Sequence, residues 1–164
     1  MAHFSISDIA IVGISAAVPK KIESNFDYKP VTKEEINKFI QTTGVQERRI
    51  ADENICTSDL CLASAEKLIS ELNWEKSGID VLVFVSQTAD YLLPVTSAIL
   101  QDRLNLSKEC LAFDIPLGCS GYVYGLSVVA SMMKASGFTR GLLLPGDTLS
   151  KSISSLDKST APLF

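Results

Sequence analysis

Apolar residues recur along this chain in two periods, and the switch between them marks out its elements. Four runs are short and continuous, as in strands covered on both faces. They are Ile9-Ala10-Ile11-Val12-Gly13-Ile14, Val81-Leu82-Val83-Phe84-Val85, the run from Cys110 to Phe113, and Gly141-Leu142-Leu143-Leu144-Pro145. Between them the spacing turns helical. Ile36, Phe39 and Ile40 form one stripe, and Cys61, Ala65, Leu68 and Leu72 another. Ile99, Leu100 and Leu104 make a shorter one, and a helix-length run without charge follows Gly121.

Local signals set the boundaries. Thr32 and Glu35 have the spacing of a capping box, and Val31 with Ile36 that of a hydrophobic staple. Gly44 is a candidate left-handed cap where that helix ends. Thr57 or Ser58 is placed to cap the next helix, with Asp59 in its first turn. Gly78 closes that region, and Gly137 ends the helix that begins at Gly121. Residues 15–29 and 46–54 read as polar connections, and 87–94 as a loop leaving the strongest strand.

The resulting order, β-α-α-β-α-β-α-β, predicts an α/β layered domain over 1–164 with a mainly parallel sheet. The helix from Gly121 carries no charge up to Met133, so it is expected to be buried on all sides by more than one small layer. A second domain or a partner subunit is the expected cover. Nothing near Ala161-Pro162-Leu163-Phe164 resembles a closing element. The chain is therefore expected to be a fold interrupted before its last strand.

Composition narrows the classes. With 164 residues, 46% hydrophobic and 21% charged, the chain can bury a core and is not of disordered type. Its net charge of −4 and the lack of a basic cluster beyond Glu47-Arg48-Arg49 argue against nucleic acid as a partner. No Lys or Arg precedes the first apolar run, so no secretory signal is expected. The stretch 115–133 is nearly membrane length, but Pro116, Gly118, Gly121 and Gly125 suit a soluble helix better. Cys56, Cys61, Cys110 and Cys119 have no metal-ligand spacing, and His3 stands alone at the N-terminus. A cytoplasmic protein with reduced thiols and no metal or cofactor is the plain reading.

The candidate chemistry lies in Phe113-Asp114-Ile115-Pro116-Leu117-Gly118-Cys119-Ser120-Gly121. An apolar strand breaks at Pro116, and a helix starts just past Cys119. Free N–H groups and the positive end of a helix favour a thiolate there. The small neighbours Gly118, Ser120 and Gly121 leave room for a carbonyl beside the sulfur and its backbone N–H. A small, inert buried cysteine fits the same position, and on position alone the two readings stand level.

Three stretches in order carry a family resemblance. They are Thr43-Gly44-Val45-Gln46-Glu47-Arg48-Arg49-Ile50, Val83 to Pro94, and the segment around Cys119. Together they resemble the N-terminal half of the β-ketoacyl-acyl-carrier-protein synthase III family, with its thiolase-like fold. The resemblance implies that Cys119 attacks an acyl thioester, and that its backbone N–H donates to the oxyanion. The acyl group would then pass to the carbanion left when malonyl-acyl carrier protein loses carbon dioxide. It implies a homodimer, with Leu93 lining the partner's acyl pocket and the interface near Ala112. Lys38 and Thr42 stand where CoA-binding members carry a tryptophan and an arginine. They become candidate substrate contacts, and acyl carrier protein joins acyl-CoA as a possible donor.

The family's decarboxylating histidine and asparagine belong to its C-terminal half, so the 164 residues are expected not to condense substrates alone. The changes at Lys38 and Thr42 keep open a thiolase-fold acyltransferase acting on an oxygen or nitrogen acceptor, in lipopolysaccharide or secondary-metabolite synthesis. A non-catalytic subunit that binds acyl carrier protein is the third reading, and the presence of Cys119 counts against it.

Overall fold

The computed structural model describes residues 4–164, so His3 lies outside the described residues. Contacts divide the chain into two compact units. One contains the residues up to Ala17 together with Thr57–Asp147; the other contains Val18–Cys56 and Thr148–Phe164.

The first unit is built on a parallel three-stranded sheet. Strand β3 (Val81–Val85) lies between β4 (Leu111–Ile115) and β5 (Gly141–Pro145). Every residue of β3 is buried, which explains its uninterrupted apolar run. Its period of two sorts the core into two faces. Leu82 and Phe84 pack with Leu142, Leu144 and the helices α2 (Thr57–Glu71) and α3 (Thr96–Arg103). Val81, Val83 and Val85 turn to the other face, where Val129 of α4 (Gly121–Ser136) covers them. Helices thus clothe both faces, as a parallel sheet requires.

Helix α4 sits close to the sheet because two of its residues have no side chain. A Cβ on Gly125 would lie 2.6 Å from Leu143 Cδ1 and 2.9 Å from Val85 Cγ2. One on Gly121 would meet Val85 as well. Burial follows this stripe, Gly121, Gly125 and Val129. This unit covers only part of the helix: Val123 and Tyr124 are 63% and 60% exposed, which leaves that face for the second domain or partner subunit expected to cover it. Absence of charge marked a helix with two apolar faces, and this unit covers one of them.

The expected strand over 9–14 is corrected. Residues 9–17 have no regular secondary structure and join no sheet, with burial alternating from Gly13 to Pro19. A strand is defined by its ladder, and this segment touches helix α2 without a ladder partner: a Cβ on Gly13 would reach Leu68 and Leu72.

The second unit contains α1 (Lys33–Thr43) and an antiparallel pair, β1 (Lys21–Ser24) with β2 (Glu47–Ile50). The capping box forms as expected: Thr32 Oγ1 accepts from Glu35 N at 3.2 Å, and Glu35 Oε2 accepts from Thr32 N at 2.8 Å. Gly44 ends α1 with φ of 76°, and Gly137 ends α4 with φ of 69°. The β1–β2 pair falls where the sequence reads as polar connection. Buried Asn25 follows β1 and anchors this unit, its Nδ2 donating to the carbonyls of Val45 and Pro162 at 2.9 and 2.8 Å. The motif residue Arg48 donates to the Ala161 carbonyl at 2.5 Å and lies over the Tyr28 ring.

Candidate active site

Parallel strands β3 and β4 send their following loops out from the same end of the sheet, where α/β folds place their ligands. The loop after β4 carries Cys119, two residues before the first residue of α4. Cys119 is exposed, and its backbone N–H has no backbone partner among the described residues. Beside it the chain turns tightly, with Gly121 N donating to Gly118 O at 2.7 Å. A Cβ on Gly118 would run into the Gln87 carboxamide, which comes from the end of β3. The glycine therefore lets the two loops meet.

The other thiols have different surroundings. Burial pushes Cys61 up to about 12, with Asp90 and Asp147 adding to the effect. Burial, helped by Asp80, pushes Cys110 up to about 11. Both are held as neutral core filler. Cys56 is half-buried.

The loop after β3 is fixed by three carboxylates that sequence reasoning did not single out. Asp147, just beyond β5, accepts from Ser86 Oγ at 2.9 Å, Gln87 N at 2.7 Å and Thr88 N at 3.1 Å. Asp90 accepts from Ser58 Oγ and from Ser58 N, so the first turn of α2 is satisfied from 32 positions downstream. Asp114, inside β4, accepts from Thr96 N at 2.9 Å and Ser97 N at 2.8 Å, closing the start of α3. The available signal was an acidic residue at the end of, or within, an apolar strand, where only a partner explains it.

Between these clamps the loop tip stands free. Leu92 and Leu93 are 97% and 82% exposed, so they do not tuck into the core of their own unit. Lys38 and Thr42 are exposed one turn apart on α1, in the other unit, and Thr42 Oγ1 donates to the Lys38 carbonyl at 2.8 Å. Cys119 and Leu93 thus belong to adjoining loops of one unit, while Lys38 and Thr42 belong to the other. Among the described residues no group of three or more His, Cys, Asp and Glu side chains is arranged to hold a metal ion. None of the described helices is long and apolar enough to cross a membrane.

Comparison with known proteins finds one family. Residues 113–164 match the family model for 3-oxoacyl-[acyl-carrier-protein] synthase III. A provisionally named 3-oxoacyl-[acyl-carrier-protein] synthase 3 of Campylobacter jejuni is 39% identical over 161 residues, covering 94% of this chain and 44% of that protein. A β-ketoacyl-[acyl-carrier-protein] synthase III of Caldanaerobacter subterraneus is 32% identical, with 94% and 46% covered. Among solved structures, a 3-oxoacyl-(acyl-carrier protein) synthase from Burkholderia xenovorans superposes with a TM-score of 0.88 at 39% identity, covering 92% of this chain and 44% of that one. The chain spans a little under half the length of these relatives.

Proposed function

Because the chain belongs to the β-ketoacyl-[acyl-carrier-protein] synthase III family over the half of the family's length that it spans, we propose that it carries the acyl-accepting half of a decarboxylating condensing enzyme of fatty acid synthesis. The observation that carries this reading is an exposed cysteine at the turn from β4 into α4, within the segment that the family model matches.

In this reading the Cys119 thiolate attacks the carbonyl carbon of an acyl thioester. The carbon–sulfur bond to the donor breaks, the donor leaves as a thiolate that takes up a proton, and the acyl group stays on Cys119. The Cys119 N–H stabilises the oxyanion formed on the way. Malonyl-acyl carrier protein then loses carbon dioxide, and its carbanion takes the acyl group from the sulfur. The family's histidine and asparagine, expected beyond the half this chain spans, assist that second step. The 164 residues are accordingly expected to accept an acyl group but not to condense.

The exposed tip at Leu92 and Leu93, with the unpaired edge of β4, is the proposed homodimer surface, where Leu93 would reach the partner's acyl pocket. Lys38 and Thr42 are the proposed contacts to the donor, CoA or acyl carrier protein. The test is incubation of the chain with isotope-labelled acyl-CoA and acyl-acyl carrier protein, followed by peptide mapping. Label on Cys119, absent from Cys119→Ala, is expected, with no ketoacyl product after malonyl-acyl carrier protein is added. Label on another residue, or on none, rejects the reading.

A further inference from the structure

Beyond β3 the chain exposes five consecutive residues, Tyr91-Leu92-Leu93-Pro94-Val95. All five are apolar or aromatic. Full burial of one leucine side chain is worth about 1.5–3 kcal/mol, so an unrestrained loop of this composition gains by folding down onto its own unit. Residues 91–94 make no backbone hydrogen bonds among the described residues, so nothing within the tip holds it out.

The restraint lies at the base of the tip. Asp90 is half-buried and turns both carboxylate oxygens to Ser58. One accepts from Ser58 N at 3.3 Å and the other from Ser58 Oγ. The Asp90 N–H donates to Thr96 Oγ1 at 3.3 Å, which joins the two ends of the tip. Ser58 and Thr96 are fully buried, and each is held from a further side. Ser58 Oγ accepts from Arg103 Nη1 at 3.1 Å, and Arg103 Nη2 donates to Asp59 at 2.7 Å. Thr96 N donates to Asp114 in β4 at 2.9 Å. An exposed apolar tip thus stands on a buried polar base that reaches α2, α3 and β4, and Asp90 is the residue through which the tip joins that base.

We propose that Asp90 is a positioning residue that acts through the tip, holding Leu92 and Leu93 in one orientation away from their own unit. Bonds to a carboxylate are strong enough to fix the base, and a tip ordered in advance loses less freedom when a second chain covers it. The effect on docking rests on the homodimer surface proposed above; the fixing of the tip does not.

The test is ¹⁵N relaxation on the intact 164-residue chain, with sedimentation velocity over a concentration series. In the wild type the amides of Tyr91, Leu92 and Leu93 should have order parameters near the rigid-backbone value of about 0.85, falling below about 0.6 in Asp90→Ala. Asp90→Asn keeps an acceptor for Ser58 N and offers a donor to Ser58 Oγ, and should restore most of that order. Ser58→Ala, which keeps the N–H and loses the hydroxyl, should loosen the tip in part and carries the test if Asp90→Ala does not fold. Gly125→Val destabilises the unit from α4 and should leave the tip ordered, which separates positioning from a general loss of stability. The dimer dissociation constant should rise at least about tenfold in Asp90→Ala. A tip already disordered in the wild type, or equally ordered in wild type, Asp90→Ala and Ser58→Ala, overturns the proposal. Loss of tip order in Asp90→Ala from a wild-type chain that is monomeric at every concentration supports the clamp and rejects the homodimer surface instead.

Discussion

Thiol selectivity is the property of this structure that a single experiment probes most directly. The perturbation is a small alkyl disulfide, added to the native chain at pH 8 with a short cysteine peptide blocked at both ends as internal standard. An ordinary free thiol is about one quarter ionised at that pH. A thiol held near 12, as Cys61 is, is ionised to about one part in 10⁴. One near 11, as Cys110 is, reaches about one part in 10³. The higher basicity of these thiolates restores a factor of about 40 for Cys61 and about 13 for Cys110, at a Brønsted slope near 0.45. The net expectation is that Cys61 reacts about 60-fold and Cys110 about 20-fold more slowly than the standard, before burial restricts access further. Exposed Cys119 is expected to be the first of the four labelled. Mass spectrometry of quenched digests gives the four rates, and 8 M urea supplies the control in which they converge. If Cys61 or Cys110 were modified as fast as Cys119 in the native chain, the separation of core from surface thiols would be refuted.

The same buried thiols set a pH dependence of stability. Their folded pKa values are raised, so the folded state holds protons that the unfolded state releases. Stability is therefore full below about pH 9 and falls as pH rises toward 11–12, by about 1.4 kcal/mol per unit for each thiol. Urea titrations at pH 7.5 and 10 should show the loss, with a shallower slope in Cys61→Ala. Asp114→Ala removes the acceptor of two N–H bonds at the start of α3, whose Thr96 and Ser97 are fully buried, and should cost about 3 kcal/mol; an unchanged urea midpoint would contradict this. Gly125→Val drives methyl groups into Leu143 and Val85 and should cost about 2–3 kcal/mol by the same measurement.

The sheet and its helices were legible in the sequence because burial and period agree there. Val81–Val85 is apolar at every position and buried at every position. Gly141–Pro145 matches β5 residue for residue, and Gly44 and Gly137 cap the helices that their spacing assigned to them. Legibility failed where an element depends on distant partners. Residues 9–14 have a strand's composition without a ladder in these residues. Conversely β1 and β2, Lys-Ile-Glu-Ser and Glu-Arg-Arg-Ile, form a ladder with little apolar content, since two exposed strands need only each other's backbone. At the candidate site, the turn around Cys119 was readable from Pro116, Gly118 and Gly121. The clamps on the neighbouring loop were not, because Asp90 and Asp147 meet partners 32 and 61 positions away.

The central position of β3 also governs the timing of folding during synthesis. Its partners lie 30 positions later in β4 and 60 positions later in β5, so neither edge is satisfied when β3 leaves the ribosome. At a synthesis rate of about 5–20 residues per second, Val81–Val85 waits for roughly three to twelve seconds before Gly141–Pro145 exists to join it. During that interval the most apolar five residues of the nascent chain are unpaired on at least one side. A chaperone that holds extended apolar segments would engage this stretch first and be displaced from it when β5 arrives.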